Sequence, residues 1–289
     1  MMKKTIAALL CALMLAGLMI PGALAVTVGE RRAVIAADLS EEQREQIYKD
    51  FGVEPGSVKE LTVTNDEERS YLKGLVPDGK IGNVALSCFY IETLKEGSGL
   101  SVTTDNINWC TEQMYVNALI TAGITDAKVI ISAPFDVSGT AALTGAFKAY
   151  EDITGEPISE AAKLASTMEL VTTGNLAEVV GSVDATKLVT ELKKILDQTS
   201  GMSDDEVRQQ IREIAKKINV SVTDEQVEQL LGLCRSMEKL DVNALKEKLE
   251  TLVDAVKNMS KADQLFTSIG DGIKSFFTAV GDFLSKLFG

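Results

Sequence analysis

The chain contains no histidine. That one absence excludes Ser-His-Asp and Cys-His catalysis, zinc sites built on imidazole, and imidazole acid–base chemistry. An enzyme on this chain would have to work with carboxylates, Lys, Tyr, Ser or Cys. Basic side chains are also in deficit, 29 against 42 acidic ones, for a formal charge of −13. Such a surface repels phosphate backbones and anionic headgroups, so nucleic acid is not an expected partner. After the first segment no apolar run approaches the ~18 residues that mark a membrane span. No cofactor and no metal-ligand set is implied.

The first segment has its own pattern. Lys3 and Lys4 precede an apolar stretch from Ile6 to Ile20, followed by Pro21-Gly22 and then Ala23-Leu24-Ala25. These are the charged start, apolar middle and small-residue cleavage box of a secretory signal, and residues 1–25 are expected to be removed after Ala25. The stretch is shorter than the ~20 residues of a retained anchor. Cys11 lies inside it and would leave with it. The remaining chain suffices for one large domain or two modest ones. Its location is expected to be extracellular or at the cell envelope.

Residues 26–155 alternate short β-like runs with helical ones, the pattern of an α/β (α+β) domain on a mixed sheet. Ala33–Ala37, Val58–Thr64, Val84–Leu94 and Ala127–Ala133 read as strands, and Leu100–Thr104 as the antiparallel partner of Val84–Leu94 across Gly97-Ser-Gly99. Ser40 with Gln43, and Asn65 with Glu68, read as capping boxes opening helices. Further helices are predicted from about Trp109 to Ala122 and from Ser138 to Gly155. Residues 156–262 read as a helical array with one-sided apolar seams: Leu188, Leu192, Ile195; Val207, Ile211, Ile214, Ile218; Val227, Leu230, Leu231, Cys234, Met237; and Leu245, Leu249, Leu252, Val256, Met259. Ser203 with Glu206 and Thr223 with Gln226 cap two of them.

Residues 263–289 form an amphipathic C-terminal helix by pattern. It carries Phe266, Phe276, Phe277, Phe283 and Phe288, with Asp271, Lys274, Asp282 and Lys286 on its polar face. Interfacial membrane helices usually carry cationic polar faces. Docking on the protein itself is therefore the first expectation, with a partner protein or a membrane surface as the alternatives.

Candidate chemistry is thin. Gly74 to Lys80 has P-loop spacing, but Ile81 replaces the magnesium-binding hydroxyl and the order of strand and helix is wrong. Ser70-x-x-Lys73 and Ser236-x-x-Lys239 lack the companion elements of serine acyl enzymes. Ser138-Gly139-Thr140, between a strand and a helix N-terminus, is the candidate ligand site: amides and two hydroxyls for a carboxylate or other anion, or else a helix cap packed close to the sheet. A disulfide between Cys88 and Cys110 would close a loop of roughly 22 residues and contribute roughly 3 kcal/mol. Cys110 near a helix start is alternatively an activated thiol, and Cys234 a buried inert one. Acidic pairs and triples at Glu41-Glu42, Asp66-Glu67-Glu68 and Asp204-Asp205 fall in first helical turns, where carboxylates favour the helix dipole.

Asn106-Ile-Asn-Trp109, Met114-Tyr115, Asn117-Ala-Leu119 and Thr121-Ala-Gly-Ile124 carry a family likeness. So do Ala133 to Gly145, the most specific run, Lys148-Ala-Tyr150, Leu39-Ser40 with Glu42-Gln43, and Val63-Thr64-Asn65. On these residues nearly the whole mature chain resembles the domain-of-unknown-function 1002 family, secreted proteins of Gram-positive bacteria. The resemblance implies export and an α/β domain followed by helices. It implies no activity, substrate or catalytic residue. The expected role is a binding or structural component. The alternatives are a carboxylate-dependent hydrolase of wall or extracellular polymers, and a membrane-surface protein using the C-terminal helix.

Overall fold

The computed structural model describes residues 27–76 and 81–250. Five strands form one sheet: β1 (Arg31–Ala36), β2 (Lys59–Val63), β3 (Cys88–Thr93), β4 (Leu100–Ile107) and β5 (Ala127–Val137), in the order β2-β1-β3-β5-β4. β1 pairs β2 in parallel and β5 pairs β4 in parallel, while β3 runs antiparallel to both β1 and β5. Four strands therefore point the same way, and their carboxyl ends share one edge of the sheet.

This corrects one expectation. Leu100–Thr104 does not fold back on β3, because β5 lies between them. β5 buries Val129, Ile131 and Ala133 completely, whereas β4 fully buries only Val102. The more apolar strand takes the interior position and the more polar one the edge. The strand expected from Val84 also begins later, at Cys88.

Helix α1 (Glu41–Phe51) links β1 to β2 and opens on the Ser40–Gln43 capping box. Helix α2 (Asn65–Leu72) follows β2; its box is Thr64 with Glu67, one residue ahead of the predicted pair. Helix α3 (Glu112–Ala122) links β4 to β5, and α4 (Thr140–Thr154) follows β5. Phe51 of α1 meets the Tyr90 ring, while α4 lies over Val34 and Phe89, where a Cβ on Gly145 would be 3.2 Å from that of Phe89. Tyr90 and Phe89 are strand neighbours and point to opposite faces. So α1 and α4 cover opposite sides of the sheet.

The helical half comprises α5 (Glu160–Val180), α6 (Ser182–Lys194), the single turn α7 (Leu196–Thr199), α8 (Asp204–Lys217) and α9 (Asp224–Met237), then a helical stretch over 242–250. α8 and α9 carry the predicted capping boxes. α3 is buried on nearly every side, between the sheet and α5. One contiguous core runs from Ala33 in β1 to Leu249.

Both outer strands are tied off by a side chain. Lys148 Nζ donates to the Thr62 carbonyl on β2 (2.5 Å), and the Thr104 amide on β4 donates to Glu112 Oε1 (3.2 Å). Unpaired edge backbone invites strand addition, and charged side chains block it.

Candidate functional site at the carboxyl edge of the sheet

The loop from β5 to α4 holds Ser138, Gly139 and Thr140. Gly139 has φ 96°, a left-handed backbone that favours glycine. A Cβ there would fall on the Tyr115 hydroxyl and within 2.6 Å of Ile107 Cγ2. Tyr115 Oη instead donates to the Gly139 carbonyl at 2.5 Å. The Thr140 hydroxyl donates to Glu68 Oε1 at 2.6 Å, and Asn65 Nδ2 donates to Oε2 at 3.3 Å. Ser138 Oγ and Thr140 Oγ1 lie 3.2 Å apart, and the Ala142 amide donates to Ser87 Oγ at 3.0 Å.

Thr140 thus turns toward a carboxylate of the protein itself. Glu68, from the acidic first turn of α2, is 2% exposed and sits where an outside anion would approach the start of α4. Burial raises its carboxyl above the usual range, against the opposing effect of its two hydrogen bonds. Arg69, next in sequence, donates from Nε to Asn65 Oδ1 at 2.9 Å and from Nη2 to the Gly82 carbonyl and to Asn83 Oδ1. It braces the approach to β3 across the same edge.

Cys88 and Cys110 are separate buried free thiols in this structure, not a disulfide. Cys88 lies on the α1 side, where its sulfur accepts from the Ala36 amide at 3.2 Å. Cys110 lies with Tyr115 beside Gly139 on the α4 side, so the sheet separates the two. Burial pushes each thiol up to about 12, the reverse of the shift an activated thiol requires. Cys234 in α9 is buried and likewise raised to about 12.

The outer rim of this edge carries different residues. β5 outruns β3: pairing stops at Cys88 with Ser132, and Ala133–Val137 continues beyond it. On that overhang Phe135 is 51% exposed and Asp136 is exposed. The loop after β4 is laced to the overhang. Asn106, at φ 55°, donates from Nδ2 to the Ala133 carbonyl (2.8 Å), Asn108 N–H to Val137 O (3.0 Å), and Cys110 N–H to Ser138 O (3.0 Å). Trp109 is in this loop, not in the helix predicted to start there. Its Nε1 donates to Glu178 Oε1 at 2.9 Å, and its ring occupies the space a Cβ on Gly174 would need. Glycine in mid-helix is what lets the indole lie against α5.

A second polar cluster is wholly internal. Lys193 of α6 bonds Glu169 of α5 at 2.9 and 3.2 Å and the Asn117 carbonyl of α3 at 3.0 Å. Thr121 donates to the same carboxylate at 2.5 Å, and Asn117 Nδ2 donates to Thr190. Both ionic side chains are 0% exposed. Burial holds Lys193 below the ordinary lysine range, although Glu169 pulls the other way. Among the described residues no buried side-chain nitrogen or oxygen lacks a partner, and no acidic or cysteine side chains gather as a metal-binding group. The acidic residues at Glu41-Glu42 and Asp204-Asp205 occupy first helical turns as expected. Phe266, Phe276, Phe277, Phe283 and Phe288, and the signal-like residues 1–25, lie outside the described residues.

Sequence reasoning missed Glu68 as an interior group, the Phe135–Trp109 rim, and the Glu169–Lys193 pair. One signal for the last was present. Asn117 and Thr121 stand four apart in the apolar stretch that follows Glu112-Gln113 in this helix, and buried polar groups demand partners.

The family model described as "Protein of unknown function (DUF1002)" matches residues 35–269. A curated relative in Bacillus subtilis (strain 168), "Uncharacterized protein YpuA", is 41% identical over 218 residues, covering 75% of this chain and 74% of that protein. No solved structure matches the chain significantly.

Proposed function

We propose, from the premise that the chain belongs to the DUF1002 family, that it is an exported binding component of the cell envelope. In this reading, cleavage after Ala25 releases it, and the rim at the carboxyl edge of the sheet is its contact surface. The observation that carries the reading is Phe135: a large apolar ring half exposed on a strand overhang that is hydrogen-bonded along one side. Exposed aromatic side chains on rigid backbone are typical anchors of recognition surfaces, because little entropy is lost when they are covered. In open α/β sheets, ligands also tend to bind beyond the carboxyl ends of the strands. Ser138 and Thr140 then act as the inner wall of this edge, held by Glu68, rather than as ligand contacts of their own.

Two measurements test it. The full chain is expressed in a Bacillus host and its N-terminus identified by mass spectrometry; a start at Val26 outside the cytosol is expected, and an intact Met1 in the cytosol refutes export. The purified protein is then sedimented with isolated envelopes. Retention that is lost in Phe135→Ala is expected, and a variant that sediments as well as the parent removes the rim from the reading.

A further inference from the structure

We infer that α2 is an acid-closed flap over the junction between β5 and α4, with Glu68 as its latch, a device independent of the rim's role as a contact surface. Of the eight residues of α2, two are buried, Glu68 and Leu72. One of the two side chains that this helix buries is therefore titratable, and docking of the helix is linked to proton uptake. The latch itself crosses from one helix to the other: the Thr140 hydroxyl of α4 donates to Glu68 Oε1 at 2.6 Å.

The rest of the attachment is light. Leu72 packs with Val76, Ile81 and Val171 in a small apolar cluster separate from the main core, and Tyr71 meets the edge of the Phe147 ring. Lys148 of α4 pairs with Glu67, which is more than a third exposed. An element with few apolar contacts to the core opens while the remainder stays folded. Moving α2 away frees the Thr140 hydroxyl, which is 4% exposed when the flap is closed. It also bares the start of α4, whose N-cap Gly139 supplies no side-chain bond of its own.

The groups around Glu68 leave its carboxyl in control. Burial pushes Tyr115 of α3 well up and Cys110, just before α3, up to about 12, so both stay protonated. α4 offers the uncharged Thr140 and no acidic residue in its first turn. α2 itself adds the neutral Asn65 and the cation Arg69. The cations that α4 and α5 bring to α2, Lys148 and Lys163, are engaged by Glu67 and by Glu151 and Glu160. Burial raises Glu68 against its hydrogen bonds and Arg69. Docking is therefore strongest below the ordinary carboxylate value of about 4.3 and weakens as pH rises through the docked value. Glu67 acts in the opposite window. Partial burial opposes it, but Lys148 and the Thr64 cap hold its carboxyl below the usual range. Its share is intact above about 4.3 and is lost as pH falls through a lower value.

Hydrogen exchange of the purified protein, followed by mass spectrometry from about pH 5 to about pH 8 and referenced to the intrinsic rate at each pH, tests the latch. Protection of the α2 amides 69–72 is expected to fall by about tenfold across that range, a decade for each unit by which docking raises the carboxyl. Protection in α3 stays constant. Glu68→Gln should hold the acid level of protection up to the highest pH. Glu67→Gln, whose glutamine still fits the capping box, should keep the parent's pH dependence. Constant protection of 69–72 in the parent, a Glu68→Gln variant that follows the parent, a Glu67→Gln variant that loses the trend, or a fall shared equally by α3 overturns the flap.

Discussion

Lys193→Met tests the internal cluster that joins the helical half to α3. The ammonium makes three contacts, two with Glu169 and one with the Asn117 carbonyl, and neither ionic side chain reaches solvent. Methionine nearly matches the lysine stem in volume, so packing changes little. Glu169 would be left buried with only the Thr121 hydroxyl as a side-chain donor. Stranding one member of such a pair costs about 3–5 kcal/mol, and each kcal/mol lowers the melting temperature of a chain this size by roughly 2–4 °C. The expected drop is about 6–20 °C, measured by calorimetry at neutral pH. The double variant Lys193→Met/Glu169→Met removes both charges and should return to within about 2 kcal/mol of the parent, because uncharged packing often replaces a buried pair without loss. Glu169→Met alone should cost less than Lys193→Met as the pH is raised, since burial already pushes Lys193 toward its neutral form. A loss below about 1 kcal/mol in Lys193→Met, or a double variant no better than that single one, would refute the reasoning.

Gly139→Ala combines an unfavourable left-handed backbone with a collision against Tyr115 and Ile107; a loss of about 2 kcal/mol or more is expected in urea unfolding, and a change within about 0.5 kcal/mol would contradict the geometry. Glu68→Gln addresses pH. Because the folded-state carboxyl is raised by burial, its contribution to stability is fully present below the unfolded value of about 4.3 and is lost as pH rises through the folded value. The melting temperature of Glu68→Gln should therefore match the parent's near pH 4 and exceed it near pH 7; a gap independent of pH, or one of opposite sign, rules out a raised Glu68.

The sequence made local signals legible and left spatial ones hidden. Capping boxes at Ser40, Ser203 and Thr223 are written in residues three apart, and all three form as predicted. The apolar seams of α6, α8 and α9 show equally plainly, because each helix buries a single stripe. Helix α5 left no such stripe. Its Ala, Thr, Ser and Gly residues are buried on several sides, so it has little one-sided periodicity to read. The placement of β5 between β3 and β4 depends on long-range pairing that a hairpin-like Gly97-Ser-Gly99 turn disguises. At the candidate site, Ser138-Gly139-Thr140 was visible as a strand-to-helix junction. The carboxylate that meets it comes from another helix, 72 positions earlier in the chain. Phe135 went unread because the predicted strand stops at Ala133, whereas β5 runs on to Val137 and carries this ring on its overhang.

The two side chains that tie off β2 and β4 restrict how this molecule can assemble. Lys148 and Glu112 each hold one outward-facing backbone group, so a neighbour arriving flank-first must displace a charge before adding a strand. That arrangement favours discrete particles over ribbons. Contacts between copies that extend the sheet sideways are thereby disfavoured at both of its borders.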